Sequence, residues 1–304
     1  MLAMSGQAGR IANGRRERAM NYRHAYHAGG FADVLKHAVL CRLLVHLGEK
    51  PGAFCVIDTH AGAGRYQLGG PEASKTAEWR NGIERLLAAE LTRPIRALLA
   101  PYLDAVAALN PGDRLAIYPG SPALAQELLR PQDRLVACEL EPQAAGALRS
   151  HLHGDPRTHA VAIDGWTALT AYVPPPERRG LVLLDPPFEE PGEFSRLVQG
   201  LAAAHRKWAT GIYLLWYPIK DRAEVAAFAR KLARLGIAKI LRAELTIAPG
   251  GGDAGLRGCG LIVVNPPWTL HDELKDLLPA LSQVLSRGAP EDPRLDWLAR
   301  EAVR

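Results

Sequence analysis

Val56-Ile57-Asp58-Thr59-His60-Ala61-Gly62-Ala63-Gly64 runs from an apolar strand, through an acid at its end, into a glycine-rich turn. Glycine in such a turn lets the backbone approach a ligand closely, as nucleotide-type cofactors require. The stretch lacks the Lys-Ser/Thr of a phosphate-binding loop and the third glycine of the dinucleotide fingerprint, which disfavours NAD and FAD. A Gly-x-Gly alone is also compatible with a tight turn that holds no ligand, so its neighbours in the chain must decide.

Outward from this turn, short apolar runs alternate with helical patterns. Strands are expected at 54–58, 135–139, 159–163, 181–185 and 211–216, and helices at 31–47, 122–129, 143–152, 193–207 and 221–235. Such alternation builds a mostly parallel sheet covered by helices on both faces. After the fifth strand and its helix, the runs at 240–247 and 260–264 are joined by a Gly-rich loop with no helix, which predicts an antiparallel hairpin. The expected fold is therefore α/β, with the seven-stranded layout of class I (Rossmann-like) methyltransferases, although spacing alone admits other doubly wound enzymes. Between Gly64 and Glu139 lie 74 residues, far more than the roughly 30 of an ordinary βαβ unit. A small helical insertion at about 66–118 is expected within a domain spanning 20–304.

The chain of 304 residues, 48% hydrophobic, can bury one large core. Cys41, Cys55, Cys138 and Cys259 are far apart, and three fall in apolar runs, which suits reduced packing cysteines of a cytoplasmic protein. No segment approaches a membrane span, and the first twenty residues lack the apolar core of a signal peptide. The net charge is +5, and residues 1–50, with eight Lys/Arg against three acids, account for all of it. A basic region of this kind suits a polyanion such as nucleic acid, though solubility alone also explains a mild excess.

The other strand ends carry matching chemistry. Glu139 closes the second strand, where a carboxylate can accept hydrogen bonds from both hydroxyls of a ribose. Asp164-Gly165 closes the third, a position suited to the adenine amine of a cofactor. Leu181-Val182-Leu183-Leu184-Asp185-Pro186-Pro187-Phe188 closes the fourth. An exocyclic adenine amine is a poor nucleophile because its lone pair is delocalised into the ring. Acceptance of its N–H groups by the Asp185 carboxylate and the Pro186 carbonyl would turn that lone pair toward the sulfonium methyl of S-adenosylmethionine. Pro187 stiffens the turn, and Phe188 offers a face for the base. Catalysis of this in-line transfer is orientation and electrostatics. A second motif, Asn265-Pro266-Pro267-Trp268, follows the strand that the hairpin makes antiparallel, so it should emerge at the opposite edge and be structural.

The run Asn21-Tyr22-Arg23-His24-Ala25-Tyr26-His27-Ala28-Gly29-Gly30-Phe31-Ala32-Asp33-Val34-Leu35-Lys36-His37 is dense in groups that stack on bases or neutralise phosphates. Capping of the sheet is the plainer alternative. Its histidines have no Cys or carboxylate at convincing metal-ligand spacing, and no metal is expected.

With these residues in view, the chain resembles the bacterial 23S ribosomal RNA adenine N6-methyltransferases of the J type, from about Met20 to Trp268. The resemblance rests on Tyr22-Arg23-His24, His27-Ala28-Gly29, Ala32-Asp33-Val34-Leu35-Lys36-His37, the 58–66 turn, Tyr118-Pro119-Gly120-Ser121-Pro122, Asp185-Pro186-Pro187 and Trp216-Tyr217-Pro218. It implies cofactor contacts at His37, His60, Ser121, Glu139, Asp164, Gly165 and Asp185, beside Gly62 from the turn, with Asp185 also catalytic. It further implies that Tyr22, His24 and Lys36 belong to the RNA-binding and active-site lid, and that the partner is 23S rRNA. The expected protein is a monomer, without membrane or metal. Phe188 stands where such enzymes often carry tyrosine, which keeps the stacking face. Residues 1–19 have no counterpart in the pattern and are expected to be a disordered extension, with the start open between Met1 and Met20. The alternatives are a DNA adenine methyltransferase, which would be expected to carry a larger recognition domain, a glutamine methyltransferase acting through Asn265, and a nucleic-acid-binding protein on an inactive fold.

Overall fold

The computed structural model describes residues 24–112, 114–247 and 256–301, so Tyr22 and the 1–19 segment lie outside the described residues. A 3-10 turn (His24–Tyr26) leads into α1 (Phe31–Gly48) and β1 (Cys55–Asp58). The long segment that follows holds β2 (Arg65–Gln67), α2 (Pro71–Thr76), a 3-10 turn (Glu78–Asn81), α3 (Ile83–Ala88), α4 (Arg93–Ala108) and β3 (Ile117–Pro119). Next come α5 (Ser121–Leu128), β4 (Arg134–Glu139), α6 (Pro142–Leu152), β5 (Thr158–Ala162), α7 (Gly165–Tyr172), β6 (Gly180–Leu184), α8 (Glu193–Lys207), β7 (Ile212–Pro218) and α9 (Arg222–Ala233). The chain closes with β8 (Ile240–Thr246), β9 (Gly258–Val264), α10 (Leu270–Leu285) and β10 (Arg294–Ala299).

The central sheet has the order β10-β8-β9-β7-β6-β1-β4-β5. Strands β5, β4, β1, β6 and β7 are parallel, and β9 runs antiparallel to both β7 and β8. This is the expected class I, Rossmann-like arrangement with its antiparallel hairpin. The central strands read as unbroken apolar runs because both their faces are buried. In β6, Leu181 and Leu183 join the core shared with α1, α4, α5 and α10, while Val182 and Leu184 join the core shared with α7, α8 and α9.

The expected count of seven strands is corrected to eight. β10 adds antiparallel to β8 at the edge, and its residues are half-buried or exposed. An edge strand with one wet side carries no continuous apolar run, and Arg294-Leu295-Asp296-Trp297 shows none. Its place is set instead by Arg242 of β8, which is buried and donates to Asp296 through Nε and Nη2 at 2.8 and 2.7 Å.

Within the segment between β1 and α5, the only strand pairing among the described residues is β2 with β3, antiparallel, from Arg65 opposite Pro119 to Gln67 opposite Ile117. This ribbon bears directly on the site, because it ties the glycine turn to the start of α5. The Gly120 amide donates to the Gly64 carbonyl at 2.8 Å. A side chain at Gly120 would press on both the Gly64 carbonyl and the Tyr66 ring.

Candidate active site at the carboxyl edge of the sheet

The carboxyl ends of β1, β4, β5 and β6 open into a cavity of about 1050 Å³. In the glycine turn, Gly62 adopts φ +62°, and a Cβ there would meet the Tyr66 hydroxyl at 2.1 Å. Its amide donates to Glu139 Oε2 at 2.8 Å, and the Glu141 amide donates to Oε1 at 2.8 Å. The Glu139 carboxylate is thereby held at the mouth of β4 with lone pairs left for hydroxyls. Asp58, at the end of β1, accepts from the Ser121 hydroxyl at 2.7 Å and from the His60 amide at 3.3 Å. Burial pushes its carboxyl up to about 7, with Asp185 adding to the rise and the Ser121 hydrogen bond opposing it.

Asp164 caps α7, accepting from the amide and the hydroxyl of Thr167 at 2.8 and 3.0 Å. Gly165 is tight for another reason, since a Cβ there would lie 2.4 Å from the Thr59 carbonyl and 2.6 Å from the His60 ring. His60 stands edge-on to Trp166 with centroids 5.6 Å apart, and burial holds its imidazole neutral, down to about 4.

Across the cavity, α1 delivers a buried ionic cluster. Lys36 Nζ lies 2.5 Å from Asp185 Oδ2 and 2.9 Å from Asp33 Oδ1. Burial alone would favour a neutral amine, but Asp185 and Asp33 together hold the ammonium well above the usual lysine range. Asp33 also accepts from the Gly29 amide at 3.0 Å and pairs with His24 Nε2 at 3.0 Å. Burial would raise its carboxyl, yet His24 and Lys36 outweigh that and hold it well below the usual range. Next along the helix, His37 pairs through Nδ1 with the Tyr118 hydroxyl at 2.7 Å, and Tyr118 meets the Tyr102 hydroxyl at 2.8 Å. Burial drives His37 down to about 3, so the imidazole is neutral.

The cavity thus brings together His24, Lys36, His37, His60, Gly62, Ser121, Glu139, Asp164, Gly165 and Asp185. Pro186 is buried, and Pro187 lines the cavity beside Asp185. Phe188 takes φ +54° and turns its half-buried ring edge-on to Phe194 and Trp216, at centroid distances of 4.9 and 5.8 Å. Its ring packs against protein neighbours and is not among the residues lining the cavity. Asn265 lies at the opposite edge, as the antiparallel hairpin requires. Its Nδ2 donates to the carbonyls of Ala209 and Gly211, both at 2.8 Å, at the amino end of β7.

Sequence reasoning missed Asp33 as a member of the site. The available signal was two opposite charges, Asp33 and Lys36, one turn apart among the apolar residues that open the helix. A buried charge on such a face needs a partner. Among the described residues no group of His, Cys, Asp or Glu side chains is arranged to hold a metal ion, and no helix is long and apolar enough to cross a membrane.

The lining fits a cationic nucleoside. Eight Asp or Glu side chains line the cavity, against Lys36 and Arg196 as its permanent cations. The glycine turn offers close backbone approach, and the Glu139 carboxylate is fixed by two backbone amides with acceptor capacity to spare.

A family model described as "Ribosomal RNA large subunit methyltransferase D, RlmJ" matches residues 51–299. The chain is 40% identical over 282 residues to "Ribosomal RNA large subunit methyltransferase J" of Escherichia coli K12, covering 93% of this chain and all of that one. It is 38% identical over 284 residues to the protein of the same name from Haemophilus influenzae, with 93% and 100% coverage. A crystal structure of a Legionella pneumophila protein superposes with a TM-score of 0.81 at 34% identity, covering 89% of this chain and 98% of that one.

Proposed function

Because the chain belongs to the ribosomal RNA large subunit methyltransferase RlmJ family, we propose that it methylates the N6 amine of an adenine in 23S ribosomal RNA, using S-adenosylmethionine. The observation that carries this reading is the position of Asp185. Its carboxylate ends β6 and lines the same cavity as the Gly62 turn and Glu139, so an acceptor for an amine faces a pocket built for a nucleoside.

S-adenosylmethionine, when bound, supplies a methyl group on a sulfonium that leaves as a neutral thioether. Glu139 would accept from the ribose hydroxyls, and the Asp164–Gly165 corner would border the adenine. Buried, neutral His37 and His60 offer hydrogen-bonding groups without adding positive charge near a sulfonium. At the target, Asp185 and the Pro186 carbonyl accept the two amine N–H groups, so the nitrogen lone pair points along the line of attack. As the N–C bond forms and the S–C bond breaks, the amine becomes acidic, and Asp185 takes the proton.

Lys36 gives this step a specific prelude. Its ammonium occupies Oδ2 of Asp185 while a second carboxylate, Asp33, stands on its other side. The incoming amine takes the free oxygen or displaces Lys36 onto Asp33. The Lys36 ammonium keeps a carboxylate partner throughout. Phe188 would stack on the base after its ring leaves Phe194 and Trp216.

Methyl transfer to protein-free 23S rRNA fragments and to duplex DNA, read by mass spectrometry of the nucleosides, tests the reading. N6-methyladenosine in the RNA alone is expected, and it should vanish in Asp185→Ala while binding of S-adenosylmethionine persists. Activity on DNA alone would overturn the substrate. Retained activity in Asp185→Ala would overturn the motif.

A further inference from the structure

Eight carboxylates line the cavity, yet its proposed substrate is RNA, whose phosphates those acids repel. Lys36 does little to offset them for an incoming strand, being 3% exposed and already shared between Asp33 and Asp185. The offset has to come from exposed cations at the mouth, and two stand there in the same arrangement. Arg196 of α8 lines the cavity with its side chain 54% exposed. Its guanidinium lies over the Trp166 ring at 5.9 Å, and Nη1 donates to Glu193 Oε1 at 2.8 Å, which uses one of its five N–H donors. Lys75 of α2 is exposed, one turn beyond Glu72 of the cavity wall, and its ammonium lies over the Tyr26 ring at 5.8 Å. Tyr26 follows Ala25, another residue of that wall.

The two cations belong to opposite faces of the sheet. Trp166 packs on the core of α7, α8 and α9, whereas Ala25, beside Tyr26, packs on the core of α1, α4, α5 and α10. A cation resting on a ring is an ordinary stabilising contact at a surface. That gives each pair a reason to exist, but not a reason for both to border one acidic cavity. Backing by a ring also holds a long side chain in place, so less of its freedom is lost when a phosphate binds. An adenine enters such a cavity only when turned out of its stack, which leaves the neighbouring phosphates at the rim.

We propose that Arg196 and Lys75 are RNA anchors of the cavity mouth, each neutralising a backbone phosphate beside the target adenine, one from either face of the sheet. The inference rests on the proposed rRNA methyltransferase reading and adds to it the path of the strand across the mouth.

Binding of the 23S rRNA fragment to the full chain, measured by fluorescence anisotropy over a range of salt concentrations, tests it with Arg196→Gln and Lys75→Gln. Arg206→Gln is the control, because Arg206 is exposed near the other end of α8, about 15 Å along the helix from Arg196. One phosphate contact contributes about 0.7 to the slope of log Kd against log salt on single-stranded RNA. Arg196→Gln and Lys75→Gln are each expected to lose that increment and to bind about fivefold more weakly at ~0.1 M salt. Their KM for the fragment rises in parallel, while kcat and the Kd for S-adenosylmethionine hold. Arg196→Lys and Lys75→Arg, which keep the charge, restore the slope. A contact that only stabilises the fold would lower the melting temperature and leave the slope alone. An unchanged slope in either folded variant, or an equal loss in Arg206→Gln, overturns the proposal. A wild-type chain that binds the fragment but transfers no methyl group to it would instead refute the methyltransferase reading.

Discussion

Lys36 and Asp185, 149 residues apart in sequence, form a buried ion pair with 2.5 Å between Nζ and Oδ2, and Asp33 receives the same ammonium from the other side at 2.9 Å. One lysine ammonium is therefore shared between two carboxylates, Asp185 of the cavity wall and the buried Asp33. The Asp185 carboxylate is held in place by a cation that has a second carboxylate, Asp33, at hand.

Asp33→Asn removes one side of this arrangement. Lys36 would then lean wholly on Asp185, while His24 and the Gly29 amide lose their charged acceptor. Breaking part of a buried pair is expected to cost on the order of 3 kcal/mol of stability, read by urea unfolding. Methyl transfer should fall as well, because Asp185 is now the lysine's sole partner. A variant with wild-type stability and turnover would show that Asp33 is a bystander.

Asp58 makes stability depend on pH in a calculable sense. Its folded carboxyl titrates at about 7 against an ordinary value of 3.8. A group whose folded value is raised contributes stability that is complete below pH 4 and is lost as pH rises to 7. His37 and His60, held down to about 3 and 4 from 6.5, work the other way, losing their contribution as pH falls from 6.5. The difference between Asp58→Asn and wild type isolates the first effect. It should shift in favour of the variant from pH 4 to 7, by at most about 1.4 kcal/mol per pH unit, and level off above 7. A flat difference across that range would refute the raised value.

Gly62→Ala should fail for two separable reasons, a left-handed φ of +62° and a Cβ placed 2.1 Å from the Tyr66 hydroxyl. The backbone part costs about 1 kcal/mol, and the clash adds to it while displacing the amide that holds Glu139. Tyr66→Phe in the same chain removes the nearest atom, leaving the ring carbon at 3.5 Å. The double variant is expected to recover melting temperature and part of the affinity for S-adenosylmethionine. No recovery would mean that backbone strain alone decides the position.

Asn265→Ala should separate the two Pro-Pro motifs. Its amide makes two hydrogen bonds to backbone carbonyls, and its φ of +53° favours asparagine. The expected loss is about 2 kcal/mol in thermal or urea unfolding, with methyl transfer intact at temperatures where the variant is folded. Loss of turnover without loss of stability would return Asn265 to the list of catalytic residues.

The sequence by itself determined the succession of five parallel strands, the covering helices and the hairpin, because buried strands must be apolar on both faces and turns must carry glycine or proline. It also determined that Gly62, Glu139, Asp164 and Asp185 share one edge, since parallel strands present their carboxyl ends together. Tertiary structure alone decided the rest. β10 has no continuous apolar run and is placed by its ladder to β8 and the Arg242–Asp296 pair. Phe188 reads as a free stacking face in sequence, yet its ring is packed against Phe194 and Trp216. The Asp33–Lys36–Asp185 cluster is a matter of desolvation and distance. Charges meeting across a fold leave no period in the chain, so only the packing that buries them reveals which ones are paired.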